Sequence, residues 1–195
     1  MNNNKFKVRD LINAGLFSLL VVVFFWCGGM IGFVPVLMPV VPFFGALVSA
    51  PVFMLYSTKI DKFGMVIVLG ILVGLVFSVS GHGFYVLPGT LAVAFVAELI
   101  LKKGNYQSVS AARWAYTVFC VFAAFNLIPI YLGREQYAQK LIDMGYGKEF
   151  ADKMLSVLPQ WSFLPIVILG CIGGYIGCTL GIKILNKHFK KAGMI

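Results

Sequence analysis

Apolar residues gather into six long runs along the chain, at about 11–33, 36–57, 63–80, 86–101, 112–132 and 162–185. None of them alternates polar with apolar at every second position, as a barrel strand would. Each approaches the roughly 20 apolar residues that a helix needs to cross a hydrocarbon core. Lipid offers no hydrogen bonds to backbone N–H and C=O groups, so helices are the assignment that satisfies them. The pattern therefore predicts an all-α membrane protein, a bundle of six transmembrane helices forming a single domain over 1–195. The second run opens on Pro35, Pro39 and Pro42. Proline removes a backbone donor, so the first turns of this run are expected to be irregular, and to pack on protein or line a cavity.

Most links between runs are short, and one is not. The excursion at 133–160 carries Leu141, Met144, Phe150, Met154 and Leu155 among charges at roughly helical spacing. Gly145 and Gly147 divide it into two short amphipathic helices, Pro159 ends the second, and Trp161 stands where an interfacial aromatic belongs. Such a segment is either a surface-lying connector or a lid over a cavity.

Composition agrees with the pattern. Of the 195 residues 60% are hydrophobic and 12% charged, with a mean hydropathy of +0.92, whereas soluble domains are about 45–50% apolar. The N-terminal flank is basic like that of a signal peptide, but the apolar stretch from Leu11 to Val34 is too long for one and reads as a retained first helix. Charge then orients the bundle. All but four of the 16 Lys and Arg residues fall at the N-terminus, at the 59–62 and 102–113 links, or at the C-terminal end. The exceptions, Arg134, Lys140, Lys148 and Lys153, sit in the excursion beside Glu135, Asp143, Glu149 and Asp152. Cytoplasmic loops collect positive charge, so both termini are expected in the cytoplasm and the number of spans is even. The net charge of +9 reads as a topology signal with attraction to anionic lipid headgroups. No basic stripe interleaved with aromatics marks a nucleic-acid site.

Enzymatic and nucleotide-binding classes find little support. The chain lacks the GxxxxGK[ST] phosphate loop, and its two histidines and the single intraspan carboxylate, Glu98, do not form a convergent catalytic set. The cysteines Cys27, Cys120, Cys171 and Cys178 lie in apolar runs without metal-ligand spacing and read as small buried hydrophobes. The chain is thus expected to be no enzyme, with no metal and no cofactor of its own.

What remains are packing ridges and a few polar residues at helix ends. Gly170, Gly173, Gly174, Gly177 and Gly181 form small-xxx-small ridges along the last run, and Gly70 and Gly74 do so in the third. Such ridges allow close helix approach, within the bundle or against another subunit. Ala14 and Ser18 form a similar ridge on the first run. Glu98 lies near the cytoplasmic end of its run, where snorkelling or pairing with a basic neighbour is expected. His82, between Gly81 and Gly83 and followed by Tyr85, sits at an outer turn, either solvated or in contact with a substrate. Trp26, Met30, Asn126, Tyr131 and Trp161 are the other outer-half candidates for substrate binding, Asn126 being informative because a buried amide needs partners.

The layout resembles that of the substrate-binding S component of an energy-coupling factor (ECF) transporter. More closely, the segments KVRDLINAG from Lys7, KFGMVIVLGILVGL at 62–75, SGHG at 80–83, ELILKKGNY at 98–106 and KILNKHFKKAG at 183–193 resemble the MptD-type S components of the Trep_Strep integral membrane family. The resemblance implies a subunit in the bacterial plasma membrane that captures a micronutrient from outside. It would deliver its cargo inward with a T subunit and two ATPases that use ATP. It also implies docking of the T subunit on a first-helix small-residue ridge, for which Ala14 and Ser18 are the matching positions. A vitamin-like solute is the default cargo; Met30, Phe33, Phe84 and Tyr85 near His82 would also suit a flat tetrapyrrole. The rival reading is a structural or regulatory membrane subunit, which should be packed solid where a transport subunit has an outer cavity.

Overall fold

The computed structural model describes residues 6–191 and is helical throughout, with no strand among them. Lys5 and the tail beyond Lys191 lie outside the described residues. Helix α1 (Val8–Gly29) runs into a 3-10 turn at Met30–Phe33, and the proline-rich segment Pro35–Val40 is a second 3-10 stretch leading into α2 (Val41–Ser57). This is the irregular start the prolines predict. Next come α3 (Met65–Phe77), which ends in a wide π turn at Ser78–His82, and α4 (Val86–Lys103).

The fifth apolar run is not one helix. It is α5 (Val109–Phe119), α6 (Phe122–Phe125) and α7 (Ile128–Leu132), with i→i+3 bonds tightening the joints from Val118 onward. Pro129 lacks the N–H that would bond the Phe125 carbonyl, which accounts for the second break. The excursion folds as the two expected short helices, α8 (Arg134–Asp143) and α9 (Lys148–Val157), followed by α10 (Phe163–Ile184) and α11 (Asn186–Lys191).

Four helical stretches are long and apolar enough to cross a membrane: Val8–Phe33, Pro35–Ser57, Met65–His82 and Gln160–Ile184. Helix α4 is of similar length but carries Glu98, Lys102 and Lys103, and Val109–Phe125 is a shorter apolar stretch.

The long helices close a ring in which α1 packs on α2 and α3, α3 on α4, α4 on α5, α5 on α10, and α10 on α2. Glycines set the closest approach. A Cβ at Gly173 would collide with the Phe43 carbonyl oxygen and one at Gly177 with the Leu47 carbonyl oxygen, so α10 lies backbone to backbone on α2. Inside the ring, Ser49 and Tyr116 share a 2.7 Å hydrogen bond between α2 and α5, and the Tyr116 hydroxyl donates to the Ala46 carbonyl at 3.0 Å. Phe53, Phe119, Phe122, Phe25 and Phe77 fill the remaining interior with ring contacts of 5.0–6.0 Å.

Two expectations are corrected here. Ala14 and Ser18 are 0% and 4% exposed, and the Ser18 hydroxyl donates to the Ala14 carbonyl at 2.6 Å. Their ridge packs α1 into the bundle and offers no surface to a partner. Glu98 neither snorkels nor pairs with a lysine. It is fully buried and accepts from the Val66 and Ile67 backbone N–H groups at 2.7 and 3.3 Å and from the Tyr106 hydroxyl at 3.0 Å. A carboxylate from α4 thus caps the first turn of α3, where orphan donors and the helix dipole favour negative charge. Tyr106 reaches it from a left-handed turn (φ +56°) that a bulky residue seldom adopts. Burial, and then the charge of Glu98, push the Tyr106 phenol well above its usual range, so it remains a neutral donor.

Candidate functional site

The bundle has two unlike ends. At the basic end, Lys62 donates to the Asp10 carboxylate at 2.5 Å, and Asp10 also accepts from the Lys7 N–H at 2.8 Å. This ties the start of α1 to the α2–α3 link. At the opposite end, α8 and α9 form a cap with an apolar core of its own, in which Leu141, Ala151, Met154 and Leu158 meet Leu127, Ile130 and Ile166 of the bundle. Helix α9 lies on the 3-10 stretch Pro35–Val40. Arg134 pins the cap closed, its two terminal nitrogens donating to the Leu158 and Leu155 carbonyls at 2.5 and 2.6 Å. Those carbonyls are orphans of the last turn of α9. The excursion is therefore a docked cap, which a loose surface connector would not be.

Between the cap and the α3–α4 turn lies a cleft of about 300 Å3, lined by Gly81, Gly83 and Tyr85 on one side and by Pro129, Leu132, Gly133, Gln136, Tyr137 and Lys140 on the other. The turn owes its shape to glycine. Gly81 and Gly83 both have positive φ (+96° and +94°), and a Cβ at Gly83 would strike the Tyr85 ring, which folds back over it. The Gly81 carbonyl consequently faces α8 and accepts from Lys140 at 2.8 Å, bridging the two walls. Burial raises the Tyr85 and Tyr137 phenols above their ordinary range, with the nearby phenols Tyr146 and Tyr85 adding to the effect at Tyr137. Both are neutral hydrogen-bond donors at physiological pH.

The residues singled out from the sequence divide into three groups. Tyr85 lines the cleft. His82 stands between the lining residues Gly81 and Gly83, its ring edge-on against Phe77 at 5.5 Å and within hydrogen-bonding reach of the Phe77 backbone, and Asn126, 6% exposed in the turn between α6 and α7, has an unpartnered Oδ1. Ser78, in the same π turn as His82, has a second such atom. Tyr131 is used structurally. Ser162 donates to the Pro159 carbonyl at 2.6 Å, so the Tyr131 hydroxyl is the donor in their 2.8 Å bond, which fastens α7 to the start of α10. Trp26, Met30 and Trp161 are 44%, 60% and 75% exposed and do not line the cleft, although Trp26 touches Phe77. Phe33 and Phe84 also face outward.

Gln136, Tyr137 and Lys140 escaped the sequence reading. The signal available was their i, i+1, i+4 spacing, which puts them on one face of α8. A second depression, lined by Lys148, Glu149, Asp152, Lys153 and Ser156, is open surface along α9 alone.

Comparison with known proteins gives a family and no relative of known activity. The family described as hypothetical bacterial integral membrane protein (Trep_Strep) matches residues 8–191. No curated protein and no solved structure matches the chain.

Proposed function

The chain belongs to the Trep_Strep family of bacterial integral membrane proteins, and on that premise we propose that it is the solute-binding S subunit of an ECF-type importer. It spans the plasma membrane six times with both termini in the cytoplasm, binds a micronutrient at the cap end, and passes it inward with a T subunit and two ATPases. The observation that carries this reading is the cleft between the docked cap and the 81–85 turn, backed by the buried, unpartnered polar atoms of Ser78 and Asn126. Buried polar groups are nearly always paired, and a bound solute or ordered water would supply what the protein does not. A subunit serving as scaffold gains nothing from leaving them unpaired. The cleft is at the small end of the roughly 300–1,000 Å3 typical of small-molecule sites, which favours a single-ring solute over a tetrapyrrole. With Ala14 and Ser18 buried, a T subunit would dock on another surface.

The test is purification in mild detergent from bacterial membranes, with mass spectrometry of both the copurifying proteins and the extracted small molecules. A T subunit, two ATPases and a reproducible bound compound are expected. A folded sample that brings down neither partners nor compound would return the chain to the class of structural membrane subunits.

A further inference from the structure

We propose that the cleft at the cap end selects a small organic anion about one ring in size, and that Lys140 recognises its negative charge; this rests on the solute-binding reading above. Among the described residues Lys140 is the single formally charged one lining the cleft, and no carboxylate lines it. An ammonium has three donors, and Lys140 spends one on the Gly81 carbonyl, so two are free to reach a ligand. The acids nearest in sequence on the same helix are turned to other uses: Asp143 accepts from Gln139 at 2.8 Å, and Glu135 is exposed outside the cleft. Lys140 and the Gly81 carbonyl it bonds are exposed at the open cleft, and a cation without a counter-charge there attracts anions, most strongly at low salt.

The remaining lining adds shape to charge. The phenols of Tyr85 and Tyr137 are held neutral and have no protein hydrogen-bond partner among the described residues, so the cleft offers a cation and two further donors to the same guest. Their rings, with Pro129 and Leu132, give the cleft apolar walls on either side of that donor set. A carboxylate or phosphate on a small planar body matches both features, with charge-assisted bonds at one end and ring contact along the other. The same anion chemistry exists on a phospholipid headgroup, which the experiment separates from a free solute.

Benzoate and benzamide share a ring and differ in charge. Each is titrated calorimetrically into the detergent-purified full chain, into Lys140→Gln and into Lys140→Arg, with thermal melting to check that all three are folded. Wild type is expected to prefer benzoate by about tenfold or more, the size of one charge-assisted bond; Lys140→Gln should erase the preference and Lys140→Arg keep it. Equal or tighter binding of benzamide, or an unchanged preference in Lys140→Gln, overturns the inference. Should neither probe bind, compounds extracted from wild type and Lys140→Gln decide. An anionic solute present in the first and depleted about tenfold in the second upholds the assignment. A neutral or cationic solute overturns it while leaving the solute-binding reading intact. Phospholipid alone, or nothing, removes that reading and the inference together.

Discussion

Glu98 on α4 and Asn126 in the turn between α6 and α7 are both almost fully buried polar side chains, and the two ends of the molecule treat them differently. At the basic end Glu98 accepts from two backbone N–H groups and a phenol, and Asp10 is held by Lys62 and the Lys7 N–H. At the cap end Ser78 and Asn126 each keep a buried atom without a partner. Arg113 is the exception at the basic end, its Nε unpartnered while its guanidinium lies 4.9 Å from the centre of the Tyr175 ring. Helices in lipid gain little from burying more apolar surface, so fully paired polar groups are what fix geometry. The basic end is built as a rigid clamp. The cap end leaves polar capacity open.

The comparison breaks most visibly at Glu98. Glu98→Ala leaves the buried Val66 N–H and the half-buried Ile67 N–H and Tyr106 hydroxyl without their acceptor, about 1–3 kcal/mol for the buried donor and less for the others, so unfolding in detergent should move down by on the order of 3 kcal/mol; a melting curve superimposable on wild type would mean that the carboxylate does not hold α3. Gly173→Ala tests packing within the ring, between α10 and the start of α2. With the Phe43 carbonyl in the way, it should lose about 1–3 kcal/mol, whereas Gly15→Ala, which meets nothing within 4 Å, should be neutral or gain up to about 1 kcal/mol from helix propensity.

Arg134→Ala acts on the other end. It should free the last turn of α9 and raise proteolytic nicking at 143–148 several-fold, with loss of roughly 1–3 kcal/mol confined to the cap. Hydrogen exchange that is equally accelerated in α2 and α10 would show cap and ring to be one cooperative unit. The smallest effect on stability belongs to Asn126→Leu, within about 0.5 kcal/mol of wild type or slightly stabilising, because no partner is lost. Solute retention should nonetheless fall. Stability that drops as far as in Glu98→Ala would reveal a structural role for the amide.

Much of this architecture was legible beforehand. Runs of apolar residues marked the long helices, the Pro35–Pro42 cluster marked the irregular entry to α2, and the Gly145 and Gly147 break marked two helices in the excursion, because each depends on neighbours along the chain. The α10 glycine ridge likewise announced a close helix contact. Its partner, α2, was not named by it. The fifth run misled in the opposite way: its hydropathy is continuous, and hydropathy is blind to the i→i+3 joints that divide it.

The site was legible in part. Of the polar residues that stood out at helix ends, Tyr85 lines the cleft and His82 sits between its lining residues Gly81 and Gly83. Trp26, Met30 and Trp161 occupy the same end of the bundle but point away from it, because depth along a helix is readable from sequence while rotation about its axis depends on which helices are neighbours. The same rotation buries Ala14 and Ser18 and brings Glu98 to the first turn of α3, 31 and 32 residues away in sequence. It also brings Lys140 to the Gly81 carbonyl, 59 residues away. Local periodicity and charge determined that this chain is a helical membrane protein with a basic end and a capped end. Which polar groups are paired, which stay open and which side chains share a cleft were decided by contacts between distant segments, since those pairings exist only once the ring of helices has closed.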